Sequence, residues 1–180
     1  MLDCVILGDS IAVGLGQARP DCRVAAVSGI TSERYVQYFS GVRNVRTAIV
    51  SLGVNDGEGT ATTENLTRLR GRISAEVVYW LMTGGNPRAR DAVRAVAVRF
   101  GDRLIDAEPL TGADRVHPDR TGYARLADKT RGRGGGTSTQ ASAYRDFVSP
   151  DRVYRAFPGV RVWNGPENLN GVTVLRGTRP

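Results

Sequence analysis

Short, wholly apolar runs alternate along this chain with segments whose apolar residues recur every three or four positions. Residues 4–7 form the first run, which stops at Gly8 and reads as a buried strand. Residues 11–15 have the content of a helical turn, loosened by Gly14 and Gly16. Residues 23–27 repeat the strand pattern and end at Ser28-Gly29. Residues 32–39 follow as a short helix, with Ser32 as its candidate N-cap. The runs 47–52 and 76–82 predict a third and a fourth strand, and 104–106 a short fifth. Between them, residues 64–73 set Leu66, Leu69 and Ile73 at helical spacing. Residues 87–100 make the clearest helix. Pro87 suits its first turn, and Val93, Val96, Ala97 and Phe100 line one face. Residues 118–128 predict a last helix, again opened by a proline.

Strands that are apolar on both faces, joined by helical crossovers, imply a parallel sheet covered on both sides. The expected fold is α/β: a flavodoxin-like three-layer α/β/α sandwich with a five-stranded parallel sheet in the order 2-1-3-4-5. Sites in such sheets gather at the carboxyl ends of the strands.

The texture changes after Asp128. Three segments are expected: a main α/β domain over 1–129, a Gly/Ser/Thr-rich linker over 130–143, and a basic C-terminal extension over 144–180. The extension alternates at 160–163 and 172–175 around Asn, Gly and Pro, which makes it a candidate β-hairpin. Its 37 residues are too few for an independent core, so it is expected to dock on the main domain, a partner or a second copy. Charge divides at the same place. Residues 1–128 carry 16 arginines against 15 acidic side chains, whereas 129–180 carry 9 basic against 3 acidic. The tail's arginines are spread out, so a solvated basic surface is the first reading; contact with an acidic polymer is the sharper one, and contact with another protein the third.

Composition removes several chemistries. One histidine, His117, in 180 residues cannot build a site that needs two imidazoles from one copy. Two cysteines, Cys4 and Cys22, with no CxxC pattern, exclude a zinc ribbon or an iron–sulfur cluster. They fall near the starts of two neighbouring strands and are read as two buried reduced thiols in preference to a disulfide. The N-terminal ten residues hold no basic region and only a four-residue apolar run, so neither a signal peptide nor a membrane span is expected. A cytoplasmic protein, or one released by a route such as lysis, follows.

The candidate chemistry lies where apolar runs end. Gly8-Asp9-Ser10 follows the first strand, Ser28-Gly29 the second, and Gly53-Val54-Asn55-Asp56 the third. Asp114-Arg115-Val116-His117-Pro118 comes after the fifth, before the last helix. In a doubly wound sheet these loops open on one edge, which brings Ser10, Gly29, Asn55, Asp114 and His117 together. A serine hydroxyl needs a neighbouring base to attack an acyl carbon, and His117 is the one imidazole available. Asp114, three residues earlier, can accept the Nδ1 proton and fix the tautomer. The Ser10 and Gly29 N–H groups and the Asn55 amide suit the oxyanion of a tetrahedral intermediate.

These four blocks resemble those of the SGNH hydrolases, also called GDSL-type esterases and lipases. The resemblance covers roughly residues 3–128 and includes Gly122-Tyr123 after the DxxHP block. It implies Ser10 as nucleophile, His117 as general base and acid, Asp114 as its orienting partner, and Ser10, Gly29 and Asn55 as the oxyanion hole. It also implies that Asp9 and Asp56 support the loops, and that no metal or cofactor is needed. Ile11 stands where the family often has leucine. The segments after Asp56 and after the fourth strand are brief, which predicts a shallow, open site. Short acyl groups, such as acetyl, on a carbohydrate or cell-wall glycan are the expected substrate. Activity should fall on acidification, as His117 takes up a proton. Two other readings stay open: a binding or structural module that keeps the fold without turnover, and a flavodoxin-like nucleotide binder using Gly8, Gly14 and Gly16. The latter lacks both a GxGxxG and a Walker A pattern.

Overall fold

Five strands form in the computed structural model, which describes residues 1–131: β1 (Leu2–Gly8), β2 (Arg23–Ala26), β3 (Val42–Ser51), β4 (Ile73–Met82) and β5 (Arg103–Asp106). All pairings are parallel and the order is β2-β1-β3-β4-β5, as the sequence predicts. The linker beyond Arg131 and the predicted extension 144–180 with its hairpin lie outside the described residues.

Side chains of a strand alternate between the two faces of its sheet, and here both faces are apolar. Val5, Leu7, Ala48, Val50, Val78 and Trp80 pack on one side with Tyr35, Val36, Leu66, Leu69, Val93 and Val96. Those partners come from α2 (Ser32–Tyr38), α3 (Thr62–Arg70) and α4 (Pro87–Phe100). Cys4, Ile6, Ile49, Tyr79 and Leu81 pack on the other side with Ile11, Leu15 and Leu126. Those belong to α1 (Ser10–Ala18) and α5 (Arg120–Thr130). Three helices on one face and two on the other complete the sandwich.

Several expectations change in detail. The segment after β1 is a nine-residue helix, α1, rather than a loosened turn. Ile73 opens β4 and does not end α3. Thr31, not Ser32, caps α2: its hydroxyl accepts the Arg34 N–H, while the Ser32 side chain is taken up by Asp56. Pro118 precedes α5, pairing across an antiparallel bridge with Thr111, and Asp119 is the N-cap. Phe100 does not join the buried face of α4. It is 38% exposed, with the Arg70 and Arg99 guanidinium groups against its ring.

The cysteines are the clearest correction: Cys4 and Cys22 form a disulfide. The register is the reason. Val5 lies beside Arg23 in the β1–β2 pair, so the residues just before them are neighbours, with Cα atoms 4.5 Å apart.

Candidate active site

Gly8 ends β1 with Ala26 on one side and Ser51 on the other. Ser10, Gly29 and Asn55 therefore leave the sheet two, three and four residues beyond one common level. The junction is tight. The Asp9 N–H donates to the Ser51 carbonyl at 2.9 Å and the Val27 N–H to the Gly8 carbonyl at 2.9 Å. A Cβ on residue 8 would lie 1.7 Å from the Ser51 oxygen, and φ there is +132°. Only glycine lets β1 end in this way.

Ser10 opens α1. Its Oγ lies 2.8 Å from His117 Nε2, across 107 residues of chain. The His117 Nδ1 is 2.7 Å from Asp114 Oδ2. Asp114 Oδ1 accepts the N–H groups of Val116 and His117, each at 2.9 Å. The same carboxylate thus folds the loop and faces the ring. Arg115 between them takes a left-handed φ of +58°. The backbone N–H of Val116, then the His117 ring and its N–H, hold the Asp114 carboxyl down at about 2. It stays an anion at any pH where an imidazole exchanges protons. Both side chains are open to solvent, 45% for His117 and 54% for Asp114.

The 111–118 strap is braced on both sides. Its ends meet at the Thr111–Pro118 bridge, and the Gly112 N–H donates to the His117 carbonyl at 2.7 Å. The loop after β4 packs directly on it: a Cβ on Gly84 would stand 2.2 Å from the Arg115 carbonyl oxygen. This support was not legible as a site feature. Its one signal is the glycine pair Gly84-Gly85 after a strand, which marks close backbone approach as readily as a turn.

The donors predicted for an oxyanion sit at the same edge. Asn55 Nδ2 donates to the Ile30 carbonyl at 3.1 Å, tying the loop after β3 to the loop after β2. That uses one of its two amide protons. Gly29 is exposed, at φ +76°, with open space where a Cβ would go. No hydrogen bond joins Gly29 or Asn55 directly to Ser10 among the described residues.

Asp9 and Asp56 each accept hydrogen bonds from neighbouring segments. Asp9 accepts the Ile11 N–H and the Ser51 hydroxyl, each at 3.0 Å, and so caps α1. Asp56 accepts the Ser32 N–H at 2.7 Å, the Ser32 hydroxyl at 2.5 Å and the Thr62 hydroxyl at 2.7 Å. Asn86 was missed. Its side-chain amide faces the carbonyls of Gly53, Val54 and Asp56, the nearest at 3.0 Å, while its oxygen caps α4. An Asn before a helix-opening proline is a legible cap, but nothing local signals its second task. Among the described residues no three His, Cys, Asp or Glu side chains cluster as metal ligands, and no helix is long and apolar enough to cross a membrane.

No protein-family model and no curated protein matches the chain. Solved structures do. The protein YxiM of Bacillus subtilis aligns over 71% of this chain and 54% of its own, at 16% identity and a TM-score of 0.49. The chain thus spans about half the length of that relative. The C-terminal catalytic domain of Streptococcus pneumoniae peptidoglycan O-acetyltransferase A, carrying a methylsulfonyl adduct, aligns over 70% and 88%, at 15% identity and 0.48. An inhibitor-bound aryl esterase of M. smegmatis aligns over 72% and 98%, at 13% identity and 0.47.

Proposed function

We propose that the chain is a serine hydrolase of the SGNH type, which cleaves carboxylic esters through an acyl-enzyme at Ser10. The observation that carries this reading is the unbroken relay Ser10 Oγ–His117 Nε2, His117 Nδ1–Asp114 Oδ2, at 2.8 and 2.7 Å. Ser10 Oγ attacks the acyl carbon as its proton passes to His117 Nε2. Asp114, still an anion, holds the ring by its Nδ1–H and steadies the imidazolium. Negative charge on the former carbonyl oxygen is met by the N–H groups of Ser10 and Gly29 and the free amide proton of Asn55. Collapse breaks the ester bond. The alcohol leaves with the proton from His117, and the acyl group stays on Ser10. Water then attacks the acyl carbon as its proton passes to the same nitrogen; the bond to Ser10 Oγ breaks, His117 returns that proton to Ser10, and the acid leaves.

The acyl group is short, acetyl above all, and its carrier is a carbohydrate or cell-wall glycan. Two features support this. Only four residues separate β4 from α4, and the chain between β3 and α3 is a ten-residue loop without an inserted element. The His117 and Asp114 side chains are about half open to solvent, which suits a large carrier more than a long buried acyl chain.

The test pairs wild type with Ser10→Ala. A fluorophosphonate should label the wild type once, at Ser10, and leave the variant unlabelled. Turnover of p-nitrophenyl acetate should fall on the order of 10⁴-fold or more in the variant. Unchanged turnover would sink the mechanism. A preference for long-chain p-nitrophenyl esters over acetylated glycans would remove the short-acyl reading and leave the mechanism standing.

A further inference from the structure

A groove of about 560 Å³ runs between α2 and α3, away from the relay residues; Gly59, Thr60 and Ala61, in the loop after β3, line one end and Arg72, just before β4, the other. Its size is that of a ligand site. Glu33 and Gln37 line it from α2, Asn65 and Arg68 from α3, with Thr60 near the start of α3 and Arg72 after its end. No aromatic side chain lines it, and most of its lining is polar. It suits a hydroxylated or charged ligand and offers little to an acyl chain.

Its position ties it to the oxyanion donors. Glu33 is four residues from Gly29, and Thr60 is five from Asn55, so full extension could separate them by no more than about 14 and 18 Å. They are also clamped. Asp56, next to Asn55, accepts from Ser32 and Thr62 and so locks the first turns of α2 and α3 together. Asn65, buried at the groove wall, donates to the Ser32 hydroxyl at 3.1 Å. The groove mouth and the oxyanion loops share one hydrogen-bonded frame.

The charges favour an anion. Arg72 is held by its Nη1, which donates to the carbonyls of Val36 and Phe39. Arg68 is exposed and has no ion-pair partner among the described residues, although Glu64 stands one turn before it. Two guanidinium groups face this groove against one carboxylate, Glu33. A place in the last turn of α3 explains a cation there through the helix dipole. It does not explain why that cation lines a cleft that reaches the loop after β3.

We infer that the groove between α2 and α3 seats the carrier of the ester, and that this carrier bears carboxylates which Arg68 engages. The inference rests on the esterase reading for the ester, but the binding it describes can be measured without turnover. Planar guanidinium and carboxylate groups pair through two parallel hydrogen bonds, which gives Arg68 selectivity among glycans.

The experiment uses the full chain and three substrates: partially acetylated polygalacturonate, partially acetylated glucomannan (neutral) and p-nitrophenyl acetate. In Arg68→Glu, kcat/KM on the polygalacturonate relative to p-nitrophenyl acetate should fall about tenfold or more, through KM. The same ratio for glucomannan should move less than twofold. Arg94→Glu, an equal charge change on exposed α4, should leave both ratios in place and so accounts for the long-range field. In a Ser10→Ala background, calorimetry with an oligogalacturonate should show weaker binding once Arg68→Glu is added. Unchanged ratios and unchanged binding would overturn the groove while leaving Ser10-dependent turnover intact. Equal losses on the neutral glycan, or equal losses in Arg94→Glu, would overturn the carboxylate assignment. If p-nitrophenyl acetate turnover does not depend on Ser10, the esterase reading fails, and the calorimetry still decides the groove.

Discussion

Asp9 is wholly buried beside Ser10, and only one of its oxygens is hydrogen-bonded; Oδ2 has no partner. Burial outweighs the Ser51 hydroxyl and the Ile11 and Ala12 N–H groups and pushes the carboxyl up to about 6. Its neighbours Tyr35 and Tyr123 are themselves pushed upward by burial, so both phenols stay protonated while Asp9 titrates. The folded chain holds this proton more tightly than the unfolded one. The stability it contributes is complete below the ordinary aspartate value of 3.8 and is lost as pH rises through about 6. A difference of that size corresponds to roughly 3 kcal/mol. Asp114 has the opposite sign: its contribution is present above 3.8 and is lost as pH falls through about 2. The two windows are separate, so the Asp9 effect can be read alone. Asp9→Asn keeps the acceptor for Ile11 and Ser51 and removes the titration. Urea midpoints should decline between pH 4 and pH 7 in the wild type and stay level in the variant. Equal slopes in both proteins would show that Asp9 is not the source.

At the scale of elements, the Cys4–Cys22 disulfide and Arg19 secure the corner opposite the site. Arg19, buried at the end of α1, pairs with Asp21 at 2.8 Å and donates to Thr130 at 3.0 Å, which fastens the last turn of α5. The disulfide closes a separation of 18 residues, and a loop of that length limits the unfolded chain by about 3 kcal/mol. Replacing both cysteines by alanine, or adding reductant to the wild type, should lower the unfolding free energy by that amount in denaturant titrations. A wild type indifferent to reductant would mean that the thiols are free in the purified protein. Bonds of this kind persist in oxidising surroundings.

The same corner shows which elements the sequence made legible. The strands were readable because burial on both faces leaves an uninterrupted apolar run. α1 was underestimated because Gly14 and Gly16 weaken any helical pattern. Their absent side chains serve packing instead: a Cβ would meet the Tyr123 ring at 2.3 Å and Val24 at 2.6 Å. Intrinsic propensity counts the cost of such glycines and cannot see the neighbour that requires them. Phe100 erred in the other direction. Periodicity put it on the face of Val93 and Val96, but the helix outruns the core there, and two arginines cover its ring. The relay Ser10–His117–Asp114 was legible from order and spacing: Gly8-Asp9-Ser10 follows the first strand, and Asp114 stands three residues before the one histidine, between the last strand and the last helix. Ser51, Gly84 and Asn86 were not, because each meets groups brought close only by the fold: the Asp9 carboxylate, the Arg115 carbonyl and the carbonyls after β3.

For the whole molecule, the division of charge supplies the last test. Residues 1–131 carry a net charge of +3, and residues 132–180 carry +4 in little more than a quarter of the length. Both faces of the sheet are already covered by helices within 1–131, and the relay closes there as well. On the esterase reading, hydrolysis of a small ester would draw on the described residues, and attachment to an acidic polymer on the whole surface. Attraction of dispersed arginines to such a polymer is screened over about 10 Å at 0.1 M salt, so it should matter most at low ionic strength. A chain ending at Arg131 should keep its rate on p-nitrophenyl acetate within about twofold and elute from an anionic matrix at distinctly lower salt than the full chain. Arg68→Glu in the full chain should change that elution much less than truncation does, because one groove residue reads a carrier while the tail supplies a field. Coincident elution of the truncated and full chains would take the tail out of polymer attachment and leave the groove as the only described element proposed to select a carrier.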